Sequence, residues 1–410
     1  MAQGSESGSA KLAHPMLGPF EEWLGILLRW IHVITAIMWI GDSLLFMWLD
    51  NHMYEDPEKR PHVSGITWLI HGGSYYTVEK RPLLAGKLPP KLRWFWMEAT
   101  GTWISGFLLL IVVYWLSAKS YMVDPDVRNL TGLQAVGLSF GSIVGSWILY
   151  DGLWRTPLRH RTLLCGSLTL AYLFGLDWWL THTLSGRAAF LQMGAIMASL
   201  MAFNVWIHII PPQRKMYSMA AGGEEVNYGL SKHAKFRSTH NTYFTFPVIF
   251  LMLSNHFAGI FGHHLNWALM ALFIVFGAGM RHLFLVGFTT AGRIAAAIAA
   301  SATAGIFWVL WPAPKPPVAP TAADAPPFAE VRVVIAQRCA VCHSESPGMG
   351  FVEAPKGLKL DSPSQMVEAA DRIKMQAVDR QVMPLGNATK MTPEERALLG
   401  RWIAAGCPLK

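Results

Sequence analysis

The chain has 410 residues, 52% of them hydrophobic and only 15% charged, with a mean hydropathy of +0.30. That balance excludes an ordinary soluble domain and fits a polytopic helical membrane protein with one soluble appendage. The net charge of +8 excludes little by itself, but the basic residues crowd into alternate loops between apolar stretches, which speaks for membrane topology and against nucleic acid.

Residues 1–22 are polar and small, with a single Lys11 and no basic flank before an apolar run; they read as a periplasmic N-terminal tail and not as a signal peptide. Eight apolar stretches long enough for a hydrocarbon core of ~30 Å follow at about 23–48, 94–116, 133–152, 163–182, 188–210, 242–261, 266–286 and 293–311. The predicted fold class is therefore all-α, an eight-helix transmembrane domain over residues 23–311. The first, third and fifth loops carry most of the Lys and Arg, including Arg93, Arg155 and Lys235. Basic loops belong in the cytoplasm, so both termini face the periplasm of a bacterial inner membrane. The long loop 49–93 holds Ile66-Thr-Trp-Leu-Ile and Tyr75-Tyr-Thr-Val on either side of His71-Gly-Gly-Ser74, which suits either a β-hairpin with a glycine turn or a short lid over the helix ends.

Residues 312–327 contain seven prolines, a semi-rigid spacer that cannot continue a helix. The last domain, 328–410, opens with a helical pattern and closes with Thr392-Pro393-Glu394-Glu395, a helix start that leads to Leu398, Leu399, Trp402 and Ile403 at helical spacing. Between them lies Cys339-Ala-Val-Cys342-His343. The C-x-x-C-H pattern attaches a c-type haem through two thioether bonds and gives its iron an axial imidazole. Attachment of this kind takes place outside the cytoplasm, in agreement with the topology drawn from charge. Met383, just before Pro384, is the expected sixth ligand, ahead of Met349, Met375 and Met391. The remaining cysteines, Cys165 and Cys407, imply no disulfide framework.

Ionisable residues at membrane depth are functional candidates. His32 and His256 fall in the outer half and form the best pair for a b-type haem; His208, His240 and His282 fall at the inner side, so one or two b haems are expected. A haem between the helices would also bridge a substrate oxidised near the cytoplasmic face to the c haem. The inner half collects Asp42, Glu98, Asp151 and Asn204. Glu98, close in sequence to the His71 loop, is the leading candidate for a catalytic base; pairing with Arg93, Arg155 or Arg281 is the alternative role for these acids.

Arg29-Trp-Ile-His32 through Trp39-Ile-Gly41, the His71-Gly-Gly-Ser-Tyr-Tyr76 loop, Phe203-Asn-Val-Trp-Ile-His208 followed by Pro211-Pro-Gln, and His240-Asn-Thr-Tyr243 leading to Ser254-Asn-His256 resemble the bacterial membrane-bound urate hydroxylases, over nearly the whole chain including the fused cytochrome c. The resemblance implies oxidation of urate to 5-hydroxyisourate with water as oxygen source, electrons passing to cytochrome c and on to a respiratory acceptor, and no hydrogen peroxide. A planar anion asks for cations (Arg93 or Arg155), an aromatic wall (Trp68, Tyr75 or Trp96) and a base (Glu98 or His71, with Asp42 nearby). The competing reading is a quinol-linked electron-transfer subunit with no small-molecule substrate of its own. A transporter with a sensory haem is disfavoured by the lack of an evident internal repeat.

Overall fold

The computed structural model describes residues 17–311, 325–348, 351 and 353–409. Most of the expected N-terminal tail, most of the proline-rich linker and Met349 lie outside the described residues. The chain divides into a larger helical unit, Arg29–Val123 with Val127 to the start of the linker, and a smaller, mainly C-terminal unit that also takes in the chain up to Leu28 and Asp124–Asp126.

The larger unit takes in α1 (Leu17–Asn51) from Arg29 onward, then β1 (Gly65–His71) and β2 (Ser74–Lys80). It continues with α2 (Met97–Trp115), α3 (Gly132–Arg155), α4 (Thr162–Thr181) and α5 (Gly186–Ala221), and closes with α6 (Gly229–Leu253), α7 (Asn266–Val286) and α8 (Thr290–Leu310). Among the described residues seven helices are long and apolar enough to cross a membrane, α6 not being among them. This departs from the expected eight. The apolar stretch 242–261 is only the second part of α6, which begins in the polar run Gly229–Arg237 and carries Pro247 inside; a 3₁₀ turn, Ser254–His256, breaks off its far end. The polar half dilutes the apolar half.

Two further expectations change. The fifth stretch was expected to stop before Pro211-Pro212, yet α5 runs on to Ala221. Proline lacks the N–H that an α-helix interior needs. A π turn at Asn204–Ile209 closes the preceding segment with wider rings, and the prolines then fall in the first turn of the helical piece Ile210–Ala221, where no N–H is required. The fold is also mainly but not purely α. β1 and β2 pair antiparallel from Gly65↔Lys80 to His71↔Ser74, and Gly72 (φ +60°) and Gly73 (φ +78°) supply the left-handed pair that a type I′ hairpin turn demands.

The hairpin is clamped at its base. Asp56 accepts from the backbone N–H of Arg60 at 2.9 Å and from its guanidinium at 2.9 and 3.1 Å, and Arg60 also donates to Glu79 at 2.6 Å. The Arg60 side chain holds the Asp56 carboxyl down at about 2. Because this pKa is depressed, the clamp contributes fully above the unfolded carboxyl value of about 3.9 and is lost as pH falls towards the folded value of about 2. Asp56→Asn is expected to loosen the hairpin at neutral pH. Limited proteolysis between Asn51 and Met97 should speed up; an unchanged cleavage rate would count against the clamp.

α5 lies at the centre of the helical unit. Two thirds (67%) of its apolar window is buried, against 28% or less for the other six, and it packs against α2, α3, α4 and α6. Its Phe190, Met193, Met197 and Leu200 are all within 1% of full burial. In the smaller unit α9 (Phe328–Arg338) packs on α10 (Pro393–Ala404) around Val331, Ile335, Leu360, Met366, Leu399 and Trp402. Thr392 and Glu395 form a capping box at the start of α10, and Glu395 also takes a bidentate pair from Arg338 at 2.9–3.0 Å, tying the two helices together. Burial pushes the Glu395 carboxyl up, but Arg338 outweighs it and holds the group below its usual range.

Candidate active site

A cavity of about 710 Å³ opens between the end of α1, the segment after β2, α5 and α6. Trp39, Trp94 and Phe95 give it aromatic walls; Asp42, Asp50, Lys80, Arg93 and Lys235 give it charge; Gln213, Asn241 and Thr242 give it neutral polar groups. Asp50 and Lys80 are bound to each other at 2.6 Å. Arg93 and Lys235 have no ion-pair partner among the described residues, nor does Asp42. Two uncompensated cations beside aromatic faces suit a flat anionic ligand.

Asp42 and Arg93 therefore come together, although 51 positions separate them in sequence. Glu98, in the first turn of α2, does not line the cavity; it lies within the electrostatic reach of Asp42, and its Oε2 is buried without a hydrogen-bond partner. His71 ends β1 at the hairpin tip, exposed, as are Trp68 and Tyr75; none of the three reaches the cavity lining. Trp96 lies under the Arg214 guanidinium, 5.4 Å away.

Beside the cavity α3, α5 and α6 share a buried polar network. Asp151 accepts from His208 Nε2 at 2.6 Å and from Arg237 Nη2 at 2.8 Å, and it forms an ion pair with Arg155 Nε at 2.6 Å. His208 Nδ1 lies 3.4 Å from His233 Nε2, so both ring nitrogens of His208 are engaged. One residue before Asp151, the Tyr150 hydroxyl meets His240 Nδ1 at 2.7 Å and receives Asn204 Nδ2 at 2.9 Å. Asn204 Nδ2 also donates to Asn241 Oδ1 at 2.9 Å. His282 Nδ1 meets the Tyr243 hydroxyl at 2.6 Å, and the neighbouring Arg281, fully buried, donates from Nε to Thr242 O at 3.1 Å.

His32, on α1, faces α2: its Nδ1 meets Thr102 O at 2.9 Å, and a Cβ on Gly106 would come within 2.8 Å of its ring. His256 is exposed in the 3₁₀ turn after α6, and no hydrogen bond or ring contact joins it to His32 among the described residues. His32, His240 and His282 each engage Nδ1 and leave Nε2 to a further ligand.

In the smaller unit the residues present fit a c-type haem. His343 Nδ1 donates to Leu358 O at 3.1 Å, which fixes the ring and leaves Nε2 as the ligand atom, the usual arrangement of a metal-binding imidazole. Cys339 caps α9, and burial pushes its thiol up to about 12; burial raises Cys342 as well. Met383 packs against the same apolar core as Cys339, its carbonyl held by Arg396 Nη1 at 2.6 Å. Met391 is buried inside that core and Met375 is exposed on the outside.

A family model described as urate oxidase N-terminal matches residues 19–313. The chain belongs to this family. No curated protein and no solved structure matches the chain. The match spans the seven membrane-length helices, the cavity and the polar network, so the urate oxidase family signature belongs to the helical unit, and a urate-related oxidative function with it. The C-terminal unit lies outside the match.

For this urate oxidase-family chain, sequence reading singled out Asp151, Asn204, His208 and His240 separately but did not join them; it took Arg237 only as a basic loop residue and Asn241 only as part of a motif, and it passed over Tyr150 and His233. A signal was present. Asn204 and His208 are four apart on α5, and Arg237 and Asn241 are four apart on α6, so each pair shares a helix face. Polar pairs at that spacing inside apolar helices announce facing partners on the neighbouring helix.

Proposed function

We propose that this protein oxidises urate to 5-hydroxyisourate in the cavity, with water as oxygen source, and that its two electrons leave through the C-terminal unit to the respiratory chain. Counting urate as neutral, water forms a new C–O bond at ring carbon C5, and two protons and two electrons depart; dioxygen takes no part, so no hydrogen peroxide arises. The observation that carries the reading is the family match over residues 19–313, which takes in the whole cavity. Urate is a flat anion at neutral pH. Arg93 and Lys235 offer it positive charge.

Cys339, Cys342, His343 and Met383 would hold a c-type haem, which supplies a one-electron acceptor of raised potential; His32 and His256 are the residues that would hold a b-type haem. The reading sets the helical unit in a bacterial inner membrane, surrounded by lipid, with the C-terminal unit on the periplasmic side, facing a soluble cytochrome c or a terminal oxidase.

Purified protein mixed with urate under strictly anaerobic conditions should develop the reduced c-haem spectrum without any added partner. A spectrum that stays oxidised with urate but responds to a quinol would replace this reading with a membrane electron-transfer subunit.

A further inference from the structure

Asn241 lines the cavity and is held by two hydrogen bonds whose directions are fixed. Its Nδ2 donates to Met201 O at 3.0 Å, and its Oδ1 accepts from Asn204 Nδ2 at 2.9 Å. Asn204 is fully buried and spends its second amide hydrogen on the Tyr150 hydroxyl at 2.9 Å. That hydroxyl, already accepting, directs its own hydrogen to His240 Nδ1 at 2.7 Å. An amide nitrogen carries two hydrogens. With its oxygen committed to Asn204 and one hydrogen to Met201, Asn241 keeps one N–H for the cavity and cannot turn over to present its oxygen without breaking both bonds.

We propose that Asn241 donates this N–H to a ring carbonyl of urate, and that Asn204, Tyr150 and His240 act behind it as positioning residues. The assignment rests on the reading that urate binds in the cavity. A keto-purine anion presents carbonyl oxygens around its rim, and a fixed donor opposite one of them orients the ring against the cations Arg93 and Lys235. The chain of four side chains crosses α6, α5 and α3, so the donor is set by the packing of three helices and not by a loop. Buried donors arranged in this way discriminate strongly, because a wrong ligand leaves them unpaired.

The test uses the full-length protein and anaerobic urate-driven reduction of its c haem. Asn241→Asp preserves the shape and the acceptor for Asn204 but replaces the N–H by a carboxylate oxygen. KM for urate should rise about 100-fold, with kcat changed much less. Asn241→Ala should raise KM about tenfold. Tyr150→Phe removes only the hydroxyl that steadies Asn204, and a smaller rise in KM with kcat retained is expected; it decides the positioning role even where Asn204→Ala fails to fold. Unchanged KM in both Asn241 variants, or a loss confined to kcat, would overturn the assignment while leaving the urate reading intact. Absence of urate-driven reduction in the unaltered protein would instead remove the reading on which the assignment rests.

Discussion

Asp151→Ala is expected to cost the helical unit about 3–5 kcal/mol, the usual result of removing one partner from a buried ion pair. Arg237, 1% exposed, donates from Nη2 to Asp151 at 2.8 Å, while its Nε and Nη1 have no hydrogen-bond partner among the described residues. Without the carboxylate, a guanidinium would be buried with no compensation, and His208 Nε2 would lose its acceptor at 2.6 Å. Arg155 contributes much less, since its side chain is 61% exposed and water screens it. The melting temperature of the solubilised protein should drop by about 10 °C. Asp151→Ala combined with Arg237→Leu should recover part of the loss, because an empty charge site is worse than an apolar one. A single variant that melts with the unaltered protein would mean that the Asp151 centre is not a stabilising core.

The largest effect on electron transfer is expected at the other end of the chain. If Cys339 and Cys342 hold a haem as proposed, Cys339→Ala or Cys342→Ala would each remove one of two thioether links, and haem should disappear from a denaturing gel stained for it. Met383→Ala should behave differently: the haem remains covalently attached, its reduction potential falls as the sulfur ligand is lost, and urate-driven reduction slows. A stained band of full intensity in both cysteine variants would refute the attachment site. An unshifted potential in the methionine variant would move the sixth ligand elsewhere.

Much of the helical architecture is visible in the sequence, because a membrane-length helix announces itself through an unbroken apolar run. The departures have a common cause: local composition is averaged where the chain uses it unevenly. α6 mixes Lys232, Lys235 and Arg237 with an apolar half, so a window placed on residues 242–261 catches the wrong boundary. Pro211 and Pro212 read as a stop, and only the π turn before them lets α5 continue. The candidate site was less legible than the helices. Asp42 and Arg93 share one cavity, lined by α1, the segment after β2, α5 and α6, a tertiary fact that no spacing reveals. Glu98 is favoured for its nearness to the His71 loop in sequence, yet a hairpin carries its turn away from its base, and His71 pairs with Ser74 at the far end. The buried hydrogen bonds of Asn204 and Asp151 lie across helices and could be suspected only from same-face polar pairs.

The π turn of α5 has a consequence for how this gene can change. Substitutions at Ile207, which is exposed, leave the backbone path alone. Deleting one residue between Asn204 and Ile209 would return this wide turn to ordinary α-helix. Pro211 would then fall where an interior N–H is needed. Related proteins should thus tolerate varied residues here but not a shortened or lengthened segment, so chain length between Asn204 and Gln213 is itself an inherited character of the site.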